Sequence, residues 1–220
     1  MTTPPTTIAE KLHALREQIP SHVTLVAVSK TKPMEMLAEA LSAGQCDLGE
    51  NRVQELVTKA EHFETSEVRW HHIGHLQTNK VKQIVPYAHL IHAVDSMRLL
   101  EEIDKRSAVV GKVSDVLIQV HIAQEAQKHG FQTDELESAF NAIAKAPFQH
   151  VRVRGLMGMA TFTDDASQVG REFRVLRQAF DRWNPNDWDT CSMGMSGDWT
   201  IAIDEGSTLV RIGSAIFGSR

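Results

Sequence analysis

The sequence predicts a single (β/α)8 barrel of the TIM type. Short β-branched apolar runs alternate with amphipathic helical stretches along the whole chain. The alternation yields eight strands, the number that closes such a barrel. The first strand is not followed by a G-x-G-x-x-G turn, which counts against the doubly wound open sheet.

Taken in order, residues 1–7 read as a short polar tail before one domain that covers the chain to residue 220. Ile8, Leu12, Leu15 and Ile19 then recur at helical spacing, and Pro20-Ser21 closes that helix. Residues 23–28 form an apolar β-branched run, the first strand. A helix over 34–43 ends at Gly44, a suitable left-handed stop. Residues 45–48 are a short strand, 51–63 helix, 68–73 strand, 77–85 helix stopped by Pro86, and 89–94 strand. Asp95 and Ser96 are capping types for the helix around Leu99 and Ile103. Residues 113–122 are the clearest long strand, and 133–145 a helix halted by Pro147. Strand 151–159 precedes an amphipathic helix marked by Val169, Phe173, Leu176, Phe180 and Trp183. Strand 188–193, a short helix over 199–203 and strand 208–212 complete the set.

Bulk composition bounds the function. The 220 residues are 42% hydrophobic and 23% charged, with a net charge of −5 and no dense Lys/Arg stripe. A nucleic-acid partner or an anionic membrane surface is disfavoured. Cys46 and Cys191 cannot build a disulfide framework and read as two buried thiols of a reducing compartment. No signal peptide or membrane-length apolar run is present, so the expected location is the cytoplasm.

Barrel active sites sit at the carboxyl ends of the strands. Lys30 lies there, two residues beyond Val28, where partial desolvation favours the nucleophilic amine that imine formation with an aldehyde needs. A solvated loop lysine is the bland reading of the same segment, and Lys32, just before Pro33, is the alternative amine. Barrels often hold phosphate on the loops after strands seven and eight. Here those loops read Ser192-Met-Gly-Met-Ser-Gly-Asp198 and Gly213-Ser-Ala-Ile-Phe-Gly218, with Ser196 and Ser214 as hydroxyl donors. Without the barrel, the same residues are simply turn formers. Arg211 stands among apolar neighbours, so its charge is either functional or paired with a helix carboxylate. Asn51 follows Gly49-Glu50 and either orients a bound ring or caps the next helix. His71 and His72 point to opposite faces of a strand and Gly74 interrupts the run before His75, so no metal site is expected. His71 reads as a satisfied barrel histidine. Ser29 lacks a His/Asp partner motif for hydrolase chemistry.

With these residues placed, the chain resembles the YggS/PROSC family, the pyridoxal phosphate homeostasis proteins. The resemblance rests on Val26-Ala-Val-Ser-Lys-Thr-Lys-Pro33, Gly49-Glu-Asn-Arg-Val-Gln-Glu55 and Trp70-His-His-Ile-Gly-His-Leu-Gln-Thr-Asn-Lys80. Val116-Leu-Ile-Gln-Val120, Arg154-Gly-Leu-Met157, Ser192-Met-Gly-Met-Ser196 and Gly206-Ser-Thr-Leu-Val-Arg-Ile-Gly213 extend it over nearly the whole chain. It implies a fold-type III barrel for pyridoxal 5′-phosphate (PLP), similar to the N-terminal domain of alanine racemase. It implies Lys30 as the Schiff-base lysine, Ser196, Gly213 and Ser214 in the phosphate loops, and Arg211 facing the pyridine nitrogen. It implies Asn51 beside the ring, and Met157 and Met193 in motifs near the cofactor. Arg52, His72, His121 and Gly197 depart from the family's usual residues and bear on rim contacts and exchange.

The resemblance implies a PLP-binding protein of vitamin B6 homeostasis without a committed reaction, whose partners are PLP and PLP-dependent apo-enzymes. A PLP-dependent amino-acid racemase is the alternative. It needs a second acid/base group opposite Lys30, for which only His71 or Tyr87 offers itself. The chain stops at Arg220, so no further domain is expected to supply that group, and a monomer is favoured. A third reading is a barrel enzyme for a phosphorylated metabolite, without PLP.

Overall fold

A computed structural model describes residues 6–64, 67–125, 129–145, 148–184 and 187–218. Its strands are β1 (Thr24–Val28), β2 (Asp47–Glu50), β3 (Arg69–His72), β4 (Ala88–Val94), β5 (Ser114–Gln119), β6 (Val151–Met157), β7 (Thr190–Met195) and β8 (Leu209–Ile212). All pair in parallel with their sequence neighbours, and β8 closes on β1 through Val26 opposite Arg211. The helices are α1 (Ile8–Gln18), α2 (Met34–Ser42), α3 (Val53–His62), α4 (Val81–Ile84), α5 (Met97–Val109), α6 (Leu136–Lys145), α7 (Ala166–Trp183), α8 (Trp199–Asp204) and α9 (Ser214–Phe217). Among the described residues, no helix is long and apolar enough to cross a membrane.

Period-two alternation separates the two faces of each strand. On β1, Leu25 and Ala27 join a shell cluster with Leu12 of α1, Leu37 of α2 and Leu56 of α3. Val26, from the other face, joins Leu90, Leu117, Met157 and Leu209 in a separate cluster that fills the barrel. A second shell cluster packs Ile103, Phe173, Leu176 and Phe180 against β4 to β7. Burying shell side chains of this size contributes roughly 1.5–3 kcal/mol each, and this holds the helices in place.

Local signals account for most element ends. Gly44 takes φ +79° after α2, as a helix stop requires. Ser96 caps α5 by accepting the Leu99 N–H. Thr7 is no part of a loose tail: it forms a capping box with Glu10 at the start of α1. The helix expected over 77–85 divides into a 3-10 turn, Thr78–Lys80, and the single turn α4. Strand β5 stops at Gln119, earlier than its apolar run: Val120 forms an isolated parallel bridge with Phe131, whose N–H donates to the Gln119 carbonyl and whose carbonyl accepts the His121 N–H. Both cysteines are free, Cys191 buried but Cys46 only half-buried.

The amino-terminal pole is closed by charge. Asp47 binds Arg69 in bidentate fashion at 2.5 and 2.7 Å, and Asp115 binds Arg152 and Arg154. Arg154 reaches on to Asp189. These ion pairs rim a polar cavity of about 390 Å³ that also takes in His71 and His89.

His72 lies on the opposite face of β3 from His71. It is fully buried, and neither ring nitrogen has a partner. Burial, with His75 as a minor contribution, pushes its pKa from 6.5 to about 4. The unfolded chain therefore takes up a proton that the folded chain refuses. Stability from this group is whole above pH 6.5 and drains away as the pH falls toward about 4, a loss of about 3 kcal/mol. His72→Leu, close in volume, is expected to abolish this part of the acid destabilisation. Urea unfolding of both proteins at neutral pH and at pH about 4 checks it.

Candidate functional site

The carboxyl end of β1 leads into a turn closed by the Lys32 N–H on the Ser29 carbonyl at 3.1 Å. Lys30 occupies this turn, half-buried. The next residue, Thr31, has φ 64°, in the left-handed region that disfavours a β-branched side chain. Strain of this kind persists only where the surroundings enforce it. Here Glu55 Oε1 of α3 accepts the Thr31 N–H at 2.5 Å. Lys32 is committed elsewhere: its Nζ donates to the carbonyls of Phe217 at 3.1 Å and Gly218 at 2.9 Å, at the end of α9.

The enforcing network runs through Lys59, which composition and spacing did not single out. Its buried Nζ donates to Glu50 Oε1 at 2.7 Å, Glu55 Oε1 at 2.7 Å and the Ser29 carbonyl at 2.8 Å. Ser29 Oγ donates to the same Glu50 oxygen at 2.6 Å. Burial raises the Glu50 pKa, against the pull of Lys59 and Ser29. The signal in the sequence was the pattern Glu50, Glu55 and Lys59, which puts Glu55 and Lys59 one helical turn apart.

Arg211 projects from the inner face of β8 and is buried. Its Nη1 donates to the Ser192 carbonyl at 3.0 Å and to Ser192 Oγ, and Nη2 donates to the Gly158 carbonyl at 3.1 Å. Among the described residues its hydrogen-bond acceptors are all neutral and it forms no ion pair with a helix carboxylate; the Asp198 charge acts on it without a direct bond. Burial lowers its pKa to about 10, which leaves it cationic at neutral pH. A guanidinium carries five N–H donors, and these three bonds leave donors over for a ligand atom.

The two Gly/Ser loops meet beside β1. The Gly213 N–H donates to Ser196 Oγ at 3.1 Å. A Cβ on Gly213 would lie 3.0 Å from the Val28 carbonyl, so only glycine lets the loop after β8 run this close to the end of β1. Ser214 is exposed at the start of α9. Asn51 is half-buried after β2 and does not cap α3; Arg52 holds that position without a side-chain bond. Gly74 fixes its backbone, since a Cβ there would lie 2.3 Å from the Asn51 carbonyl. Met157 is in the barrel-filling cluster at the end of β6. Met193 is not brought to the mouth: it points outward into the shell cluster with Val169 and Phe173, on the face of β7 opposite Ser192.

The departures are mostly peripheral. Arg52 and Gly197 are exposed, and a Cβ on Gly197 would touch nothing. His121 Nε2 bonds the Glu125 carbonyl at 2.9 Å in the loop after β5. His75 pairs with Asp95 at 3.0 Å and stacks on His129, and their three ligand-type atoms lie within 4.8 Å of one another. Tyr87 donates to Glu61 at 3.2 Å at the amino-terminal end of β4, the opposite end of the barrel from Lys30. His71 is held by Asp47 at 3.0 Å and His92 at 2.9 Å, as a satisfied barrel histidine should be.

A family profile described as "Alanine racemase, N-terminal domain" matches residues 5–220. A pyridoxal phosphate homeostasis protein of Escherichia coli K12 is 40% identical over 232 residues, covering 97% of each chain. One from Vibrio alginolyticus is 40% identical over 208 residues, covering 91% of this chain and 88% of its own. PipY of Synechococcus elongatus PCC7942, solved with PLP bound, superposes with a TM-score of 0.88 at 33% identity, covering 96% of this chain and all of its own. Alanine racemase of Clostridium difficile 630 shares the fold with a TM-score of 0.80 at 12% identity, over 97% of this chain and 57% of its own.

The donor set fits an aldehyde that carries an aromatic nitrogen and a phosphate: an amine, a buried cation with donors to spare, and a serine-glycine turn. Removing Lys59 tests what holds the amine. Lys59→Met leaves buried Glu50 without its cation and with only the Ser29 hydroxyl as donor, and truncating one partner of a buried ion pair costs about 3–5 kcal/mol. The expected result is that loss in chemical unfolding, together with faster hydrogen exchange at the Thr31 amide.

Proposed function

The chain belongs to the pyridoxal phosphate homeostasis proteins, built on the alanine racemase N-terminal domain, and from that premise we propose that it binds PLP as a Schiff base on Lys30. The proposed role is to hold PLP and release it to PLP-dependent apo-enzymes in the cytoplasm, as a monomer and without a committed reaction.

One observation carries this reading. Lys30 after β1, Arg211 on β8, the Gly213-Ser214 turn after β8 and Ser196 after β7 stand at the carboxyl ends of three strands that are neighbours in the closed barrel. In this reading Ser196, Gly213 and Ser214 take the phosphate, and Asn51 lies beside the ring. Met157 supports the floor of the site. Met193 has no part in it. Arg211 faces the pyridine nitrogen as a donor-only cation. Bound PLP supplies an electron-accepting ring, and a facing guanidinium keeps its nitrogen unprotonated and that capacity low. Racemisation would need a second proton-transfer group opposite Lys30. Tyr87 and His71 sit elsewhere, which supports the non-catalytic reading.

The test is mass spectrometry of protein loaded with PLP, reduced with borohydride and digested. The expected result is a pyridoxyl adduct on Lys30, absent in Lys30→Ala. Arg211→Gln is expected to keep the adduct and shift the visible absorbance band. An adduct on Lys32, or one that survives in Lys30→Ala, contradicts the assignment.

A further inference from the structure

A line of hydrogen bonds crosses the barrel interior from the amino-terminal cavity to Arg211. Asp47 Oδ1 meets His71 Nε2 at 3.0 Å, His71 Nδ1 meets His92 Nε2 at 2.9 Å, and His92 Nδ1 meets Ser192 Oγ at 3.1 Å. Ser192 Oγ in turn accepts from Arg211. His71, His92 and Ser192 are all buried, His92 and Ser192 completely. Asp47, His71, His92 and Ser192 are not among the PLP contacts proposed above; only the terminus, Arg211, is.

The carboxylate end, with one proton on His71, fixes the direction of the histidine links. A guanidinium can only donate, and an ionised carboxylate can only accept. Asp47 is held ionised: burial opposes this, but its bonds to Arg69 and His71 bring its pKa well below the usual carboxylate range. His71 must therefore carry its proton on Nε2. With His71 neutral, Nδ1 is an acceptor, so His92 carries its proton on Nε2. His92 Nδ1 then accepts the Ser192 hydroxyl proton, which leaves the serine oxygen free to accept from Arg211. Burial, with His71 and Arg211 nearby, keeps His92 neutral.

We propose that Asp47, His71, His92 and Ser192 are positioning residues, a one-way relay that orients Arg211 from the far pole of the barrel. Arg69 and His89 flank the His71 end, the first by binding Asp47 and the second with its ring centroid 5.6 Å from that of His71. The relay rests on the PLP reading only for its effect on the cofactor, not for its existence.

Two measurements separate the claims. Nitrogen-15 NMR of the unloaded full chain reads the tautomers directly. His71 and His92 are both expected to carry the proton on Nε2, and Asp47→Asn is expected to mix the tautomers. In PLP-loaded protein, Asp47→Asn and Ser192→Ala are expected to shift the visible band. Asp115→Asn, which removes a carboxylate of the same cavity outside the relay, is expected to leave it in place. A proton on His92 Nδ1 overturns the relay. So does a band that moves no more in Asp47→Asn than in Asp115→Asn, with Ser192→Ala guarding against a variant that fails to fold. Absence of any band in the unaltered protein sinks the PLP reading instead, and the tautomers still judge the relay.

Discussion

Burying a guanidinium without a carboxylate is costly, and the rest of the site is arranged around that cost. Taking an ion out of water carries a penalty of several kcal/mol even after relaxation. Arg211 offsets it with two backbone carbonyls and one hydroxyl, from Gly158 and Ser192, rather than with an opposite charge. A carboxylate partner would have neutralised the group and used its donors. Neutral acceptors leave the positive charge in place and leave donors for whatever enters the mouth. The closed strand order puts this cation opposite Val26 of β1, the strand that leads into Lys30.

The two poles of the barrel divide the work of stability and chemistry. At the amino-terminal pole, charges on β2, β3, β5 and β6 are tied to one another in ion pairs. At the carboxyl pole the backbone itself is bent to purpose. Thr31 sits in a left-handed conformation beside Lys30. Such strain is held by neighbours. The Lys59 network does this for the lysine turn, joining β1, β2 and α3 through one ammonium.

Much of this was legible in the sequence, because the signals are local. Apolar periodicity gave the eight strands, and Gly44 and Ser96 marked helix ends by their own conformational and capping chemistry. Lys30 and the Gly/Ser loops were legible once strand order placed them at one pole. What escaped depends on contacts between distant elements. The Asp47, His71 and His92 alignment needs three strands in register. Arg52 rather than Asn51 preceding α3, and the outward turn of Met193, depend on where a helix starts and which face of a strand a motif residue takes. His72 shows the limit most clearly. Alternation told which face it takes, but not that its ring nitrogens would find no partner there.

The central claim is that Lys30, Arg211 and the Ser196/Gly213/Ser214 turn act on one molecule. A crystal structure of the protein grown with PLP measures this most directly. The account predicts continuous density from Lys30 Nζ to the cofactor, the ring nitrogen within hydrogen-bond distance of Arg211, and the phosphate on the Ser196 and Gly213-Ser214 turns. Density joined to another lysine, or a phosphate lodged away from those turns with Arg211 turned from the ring, would contradict it.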